Sequence, residues 1–539
     1  MSAPSDVGFD VIVIGAGING AGIARDAALR DLRVLLLEQD DVCAGTSAWS
    51  SRLIHGGLRY LEHAELGLVR ESLAEREALL RIAPHLVKPI GMSVPVYRGG
   101  QRPLWKIRVG MWLYDLLSVG KSLPRHEILT AAELAAAVPT LAADGLKGGA
   151  QYYDAQCVYP ERLVLENLLD AARHGAEIRL RSRVIRPWVE QRRVRGVVVE
   201  NIDGTSSRVP GRVVVNATGA WADGILDDLN VRRLIGGTKG SHLVVDRALG
   251  VGEAAVYSEA ERDGRPFFII PWNDMTLIGT TDRRFRGDPG EAHIDDDEFD
   301  YLLAETRRVL PGAQLQRDDV SYTYCGVRPL PHRRKKSEGS ITRRHLIKHH
   351  RRVARGLISI VGGKLTTYRQ LAEEVTDKAC RLLHHRAPCV THARPLPGAG
   401  DATQRAELYA AGARLGVSEP QLRQLWRVYG GGAQQVLARI AADPELGEEL
   451  CPVTHVLLAG LVHGVETEWA AGLTDLLQRR TMAGLGSDFG WQAAVNGSAA
   501  LLRLGFWDSA QVDQELSAYR QLGQRARARA IPVDPLKTR

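Results

Sequence analysis

Long apolar runs are missing from this 539-residue chain. No segment approaches the roughly 20 consecutive apolar residues that cross a bilayer, and the opening MSAPSDVGFD lacks a basic stretch followed by an apolar one. Neither a membrane span nor a secretory leader is expected. Cysteine is scarce: Cys43, Cys157, Cys325, Cys380, Cys389 and Cys451 form no CxxC pair and no zinc-like grouping with histidine. The expectation is reduced thiols in a cytoplasmic protein, with no disulfide framework and no metal. Internal repeats and long low-complexity tracts are also absent, which excludes a solenoid. Net charge is small outside one place. Residues 332–355 hold ten Lys/Arg and one Glu, a local +9 against +7 for the whole chain, so the remainder stands at −2. One basic patch suits an anionic partner or surface rather than a protein built to bind nucleic acid. With 45% hydrophobic and 25% charged residues the composition is that of a globular protein, long enough for several domains.

What is there begins with a βαβ unit. Phe9 to Ile14 (FDVIVI) reads as a buried strand that stops at Gly15, Ile18 to Leu29 as a small-residue helix, and Arg33 to Glu38 (RVLLLE) as a second strand. Glu62 to Arg81 carries a helical period through Leu66, Val69, Leu73 and Leu80, closed by Pro84. Arg212 to Asn216 and Leu357 to Val361 are further buried strands, each running into a glycine turn, and Leu365 to Leu383 reads as helix. Phe267–Ile270 and Thr276–Gly279, separated by Pro271-Trp272-Asn273-Asp274, suit a hairpin in a separate, antiparallel sheet. A linker near 393–400 leads into helical segments without strand alternation. The expected architecture is therefore α/β: a Rossmann-like dinucleotide-binding domain, an antiparallel-sheet substrate domain and an all-helical C-terminal domain. The boundaries assign 8–90, 148–235 and 322–395 to the first, 91–147 and 236–321 to the second, and 396–539 to the third.

Gly15-Ala16-Gly17-Ile18-Asn19-Gly20 fits GxGxxG between a strand and a helix, and Glu38 ends the next strand 18 residues after Gly20. Gly15 permits the tight turn, Gly17 lets backbone approach a pyrophosphate, and Gly20 allows close helix packing. Amides at the helix start then face the phosphates, and Glu38 accepts from ribose hydroxyls. The motif leaves FAD and NAD both open. The loop from Thr46 to Tyr60 holds Gly56-Gly57, His55, Arg59 and Tyr60 directly after this unit, where a cofactor ring and substrate would sit.

These segments resemble the FAD-dependent, quinone-linked glycerol-3-phosphate dehydrogenases. So do Asn216-Ala217-Thr218-Gly219-Ala220-Trp221, Lys239-Gly240-Ser241-His242, Phe268-Ile269-Ile270-Pro271-Trp272, Ile278-Gly279-Thr280-Thr281-Asp282, Tyr324-Cys325-Gly326-Val327-Arg328-Pro329-Leu330 and Gly362-Gly363-Lys364-Leu365-Thr366-Thr367-Tyr368-Arg369. The likeness runs in order from about residue 8 to about 395, and more loosely through Val428-Tyr429-Gly430 and Arg479-Arg480-Thr481. The resemblance implies FAD as cofactor and oxidation of sn-glycerol 3-phosphate to dihydroxyacetone phosphate, with electrons passing to membrane quinone. It makes Arg59 and Arg328 clamps for phosphate or substrate oxygen, because the planar guanidinium donates in pairs. Lys364 would face the flavin pyrimidine or the substrate. His55 and His242 are both open as the base that takes the C2 hydroxyl proton, and Tyr60 either bonds substrate or packs. Toward the cofactor it implies Thr46, Ser47, Arg52, Leu53, Ala217, Gly219, Gly363, Leu365 and Thr366. Arg52 stands where lysine is usual, and Cys325 where a small residue is.

Arg102 to Leu117 combines Trp105, Trp112, Tyr114 and long aliphatics with three cations, which suits a helix in a lipid interface or one buried under the substrate domain. With the 332–355 patch it is compatible with peripheral attachment to the inner face of the cell membrane. A homodimer is left open. The competing readings are an oxidase of the same fold that passes electrons to oxygen and forms peroxide, and a non-enzymatic nucleotide or nucleic-acid-binding protein that uses the basic patch.

Overall fold

The computed structural model describes residues 8–57, 65–100, 102–118, 120, 122–201, 203–332 and 344–532. Arg59, Tyr60 and residues 333–343 of the basic patch lie outside them.

The opening run forms the strand Phe9–Ile14, followed by the helix Ile18–Ala28 and the strand Val34–Leu37. Every residue from Val11 to Ile14 is buried, as expected of a parallel sheet covered on both faces. The central strand pairs in parallel with Val34–Leu37 on one side and with Ser206–Asn216 on the other. Glu177–Arg179 and Leu357–Val361 extend the parallel sheet outward, and Leu346–His349 closes one edge antiparallel. Alternation decides what each face meets. Val11, Val13, Val34 and Leu36 join a core with the first helix, while Ile12, Ile14, Leu35 and Leu37 pack on Val184, Val194, Val197 and Val199. Those four belong to the strands Val184–Glu190 and Arg193–Glu200, a β layer over the sheet.

A second sheet of ten strands lies beside it. The expected hairpin forms between Pro266–Trp272 and Met275–Gly279. Its turn is only Asn273-Asp274, both left-handed (φ 52° and 62°), the geometry that matches strand twist. The sheet is antiparallel with one exception: Ala254–Val256 runs parallel to Gly91–Ser93. Strand residues at 87–90, 148–157 and 322–328 also belong here, although the expected boundaries place them with the cofactor domain.

The last quarter of the chain is helical, from Ala402–Arg414 to Ser509–Arg525, except for the short antiparallel pair Glu449–Cys451 and Val456–Leu457, which the expectation of an all-helical domain missed. Its core is continuous with that of the cofactor domain. The segment expected as a linker is an ordered tie: Leu396 is buried and donates its N–H to Ile82, Gly398 donates to Glu166, and Arg25 donates to the carbonyls of Arg394 and Pro395. Beyond the last helix the chain returns to the second sheet, where Thr323 donates both its N–H and its hydroxyl to the Ala526 carbonyl.

The helix Leu104–Leu117 divides lengthwise. Ile107, Met111 and Tyr114 are buried, while Trp105 (67% exposed), Val109 (60%), Trp112 (65%) and Leu116 (53%) form a row on the opposite side, with Lys106 and Arg108 also exposed. No helix among the described residues is long and apolar enough to cross a membrane.

Candidate active site

Where the parallel sheet meets the antiparallel one, the carboxyl ends of its strands open into a cavity of about 1380 Å³, the place at which open α/β sheets bind ligands. The volume exceeds that of an ordinary small-molecule pocket and suits a dinucleotide together with a small substrate.

The glycine turn forms one end. Gly15 has φ +106°, and a Cβ there would lie 2.9 Å from the Ala217 carbonyl oxygen. A Cβ on Gly20 would lie 1.9 Å from the Gly15 oxygen, so the helix can start this close to the turn only with hydrogen at that position. Gly17 faces Ser47, whose Oγ accepts from the Ile18 N–H at 3.0 Å. Glu38 binds the same turn: Oε2 accepts from Ala16 N–H at 2.7 Å and Oε1 from Asp40 N–H at 3.0 Å. Burial pushes its carboxyl above the usual range. Gly363 (φ +105°) closes the turn after Leu357–Val361 against Asn19, whose Nδ2 donates to Gly362 at 3.3 Å and whose buried Oδ1 has no partner among the described residues. A glycine cradle and the start of a helix fit a pyrophosphate-linked dinucleotide.

Farther along, Thr46 donates its hydroxyl to the Val327 carbonyl, and Ala217 and Gly219 line the facing wall. Leu53, in the short strand Leu53–Ile54, and Leu365 and Thr366, in the 3₁₀ turn Leu365–Thr367, lie on the cavity wall. Thr366 Oγ1 accepts from the His55 N–H at 3.2 Å, tying those two segments together. Gly56 N–H donates to Asp154 Oδ1, which also receives Arg76 (2.7 Å) and the hydroxyl of Tyr114 (2.8 Å). The outward-facing tryptophan helix and the His55 loop therefore share one buried carboxylate.

His242 is 1% exposed, hydrogen-bonded through Nε2 to Ser51 Oγ (2.9 Å) and stacked on Tyr324 with centroids 4.7 Å apart. Its buried Nδ1 has no protein partner among the described residues. Burial, then the charges of Arg328 and Arg52, hold its pKa well below the ordinary imidazole value, so the ring is neutral. Arg328 ends the strand Val320–Arg328 and donates to Thr280 Oγ1 (2.8 Å), with longer contacts to Thr281 O and Asp282. Its guanidinium lies over Gly240, where a Cβ would sit 2.2 Å from Nη2. His55, Lys364 and Arg328 all line the cavity.

Arg52, expected near phosphate or flavin, is among the residues lining the cavity, but its guanidinium is engaged inside the protein. Its guanidinium is fully buried in a two-pronged pair with Glu161 (2.8 and 3.0 Å), donates to Val158 O, and lies 4.3 Å from the centre of the Trp272 ring. The charge is thus spent inside the protein, and lysine could not fill both prongs. Residues that motif reasoning missed also line the cavity: Trp49, Phe268 and Tyr324, and from the C-terminal domain Thr474, Asp475, Arg479 and Phe489. Phe268 and Tyr324 lie in strands and Arg479 in a π turn, each within a segment that carries the family likeness, while Trp49 lies in the loop after Thr46 and Phe489 in a turn. No group of three His, Cys, Asp or Glu that could hold a metal exists among the described residues.

Comparison with known proteins agrees with this geometry. The family model for FAD dependent oxidoreductases matches residues 10–369, and that for the C-terminal domain of alpha-glycerophosphate oxidase matches 389–511. Fold and cradle thus define an FAD-dependent oxidoreductase. The glycerol-3-phosphate dehydrogenase of Synechocystis sp. is 43% identical, covering 95% of this chain and 96% of its own. The aerobic glycerol-3-phosphate dehydrogenase of Escherichia coli K12 is 39% identical, covering 90% and 96%. The FAD complex of the Bacillus halodurans glycerol-3-phosphate dehydrogenase superposes with a TM-score of 0.79 at 29% identity, covering 98% of this chain and 97% of its own. The chain belongs to the FAD-dependent glycerol-3-phosphate dehydrogenase family.

Proposed function

We propose that this chain oxidises sn-glycerol 3-phosphate to dihydroxyacetone phosphate and delivers the electrons to a membrane quinone. The observation that carries the reading is the meeting of a fixed cation, Arg328, and a neutral imidazole, His242, on the wall of the cofactor cavity. Bound FAD supplies the two-electron acceptor for the hydride that leaves C2. The remaining work falls to the protein. Arg328 is already oriented by Thr280 and Thr281, so it binds the phosphate without paying to order a flexible side chain. Loss of hydride from C2 makes the hydroxyl proton acidic, and a neutral His242 accepts it. Arg328 normally opposes charge on that ring; a phosphate dianion on Arg328 cancels the opposition and raises the basicity of His242 only when substrate is present. His55 lies on the same wall as the second candidate base, and Lys364 offers a cation where reduction accumulates negative charge. Arg59, four positions after His55 in the sequence, serves as the second phosphate clamp, with Tyr60 beside it in sequence as a substrate contact.

For the acceptor, the outward row Trp105, Val109, Trp112 and Leu116 with Lys106 and Arg108 beside it has the make-up of a helix lying in a lipid interface. That supports peripheral attachment to the inner face of the cell membrane, with the quinone drawn from the bilayer. The test is anaerobic bleaching of the flavin absorbance. Glycerol 3-phosphate should bleach it and glycerol should not; a flavin unmoved by glycerol 3-phosphate overturns the substrate. Reoxidation of the bleached protein by a quinone, with slow reaction toward oxygen, is expected. Fast reoxidation by oxygen with stoichiometric peroxide would make it an oxidase.

A further inference from the structure

A buried charged cluster around Asp41 has no part in the reaction above. It joins the C-terminal domain to the turn that follows the second strand of the βαβ unit. Asp41, three residues beyond Glu38, is fully buried, and both its oxygens are taken by Arg480, at 2.7 and 2.8 Å. Arg479 adds a third bond at 3.1 Å. Consecutive arginines reach one carboxylate because Leu476–Arg480 is a π turn, closed by Thr481 N–H to the Leu476 carbonyl; such widened turns concentrate at functional positions.

Each arginine is itself fixed from behind. Arg480 Nε donates to the Glu468 carbonyl at 2.8 Å, and Arg479 pairs with Asp475 at 3.0 Å. Asp475 also receives Arg181 and the backbone N–H groups of Ala471 and Gly472. Arg181 returns to the same turn, since its own N–H donates to Asp40 O while Ser182 N–H donates to Glu38 O. The turn Glu38–Asp41 is therefore gripped from both sides. Burial alone would raise the Asp41 carboxyl, but Arg480 and Arg479 overcome it and keep the group ionised. Apolar residues would dock two domains as well as this cluster does, at less desolvation cost; they could not fix the direction of a turn by hydrogen bonds. The cavity wall carries the same message: Thr474, Asp475 and Arg479 line it together with Glu38, Gln39 and Asp40.

We infer that the C-terminal domain forms a wall of the nucleotide end of the FAD site, with Arg479 and Arg480 as positioning residues that hold the ribose-facing turn Glu38–Asp41. FAD binding and docking of the C-terminal domain are then linked: each favours the other.

The test uses Arg479→Gln, which leaves the Arg480–Asp41 pair in place, and Arg480→Lys, which keeps the charge and loses the fork. FAD is titrated into stripped protein by flavin fluorescence, with ADP as competitor because it carries only the adenosine half of the cofactor. Both variants should bind FAD about tenfold more weakly or worse, the loss expected for one charge-assisted hydrogen bond. ADP should weaken by the same factor, while the spectrum of bound flavin stays as in the parent. The rise in melting midpoint that FAD confers should shrink more than the midpoint of the stripped protein falls. Should Arg480→Lys fail to fold, Arg479→Gln decides. Equal drops in both midpoints with unchanged FAD and ADP affinity would reduce the cluster to domain packing and overturn the inference. Weakened FAD with unchanged ADP would put the effect at the flavin end and overturn it as well.

Discussion

Replacing Trp105 and Trp112 together by serine separates the membrane part of the proposal from the chemistry. A tryptophan side chain carries about 250 Å² of surface, so at 67% and 65% exposure the two present about 330 Å² to solvent. Full transfer to an apolar phase at about 25 cal/mol per Å² gives about 8 kcal/mol. A helix lying in the interface immerses only its outer side, which leaves about 4 kcal/mol, close to a thousandfold in the partition coefficient. Both side chains project from a helix anchored by Ile107, Met111 and Tyr114, so the fold should not change. The assay is co-sedimentation with vesicles containing phosphatidylglycerol, run beside two activity assays, one with a soluble dye and one with quinone embedded in the vesicles. The double variant should stay in the supernatant, lose the quinone-linked rate and keep the dye-linked rate. Unchanged sedimentation would refute the docking face, and equal loss in both activity assays would show that the tryptophans serve the fold instead.

Arg328→Ala should lower kcat/KM by about a hundredfold to a thousandfold, the worth of a pair of charge-assisted bonds to phosphate, while the flavin absorbance remains; unchanged kinetics would show the clamp to be elsewhere. His242 is held neutral in the folded state, so below pH about 6.5 the unfolded chain binds one more proton there, and stability falls with pH by up to about 1.4 kcal/mol per unit. Urea unfolding of His242→Gln between pH about 5 and 6.5 should lose that one-proton share of the slope, and an identical slope in both proteins would contradict a neutral ring. All six thiols are pushed up by burial, Cys325 to about 11. Iodoacetamide near pH 8 should therefore leave the folded protein unmodified while urea exposes six reactive groups; rapid labelling of the native protein would count against the described packing.

The parts of this molecule written in local patterns were readable in advance. FDVIVI, the glycine turn and RVLLLE became strand, turn, helix and strand at nearly the expected residues, because apolar runs, glycine spacing and helix propensity act over a few neighbours. The hairpin was expected too, but with Pro271 to Asp274 as its connection; Pro271 and Trp272 instead stay in the strand and leave Asn273-Asp274 as the turn. What stayed hidden depends on partners far away in sequence. Arg52 looked like a ligand-facing cation until Glu161, 109 positions on, proved to take its whole fork. The strand Ala254–Glu259 and its parallel partner went unread, because nothing local reports which neighbour a strand will meet. The C-terminal wall of the cavity rests on a contact between Asp41 and Arg480, separated by 439 residues. The row of exposed apolar side chains on Leu104–Leu117 fell between, since composition announced an unusual helix while only the packing of its other side says which residues face outward.

Two empty places in the substrate sheet set where its ionisable groups sit. At Gly240 a single methyl would strike the Arg328 guanidinium, and at Gly279 it would strike the His242 ring, 2.2 Å from Cδ2. Each seat is a mould left by a hydrogen atom. Position and charge can therefore be varied separately here: adding one carbon at either glycine displaces a functional group while leaving its chemistry whole, which no substitution of the arginine or the histidine itself can do.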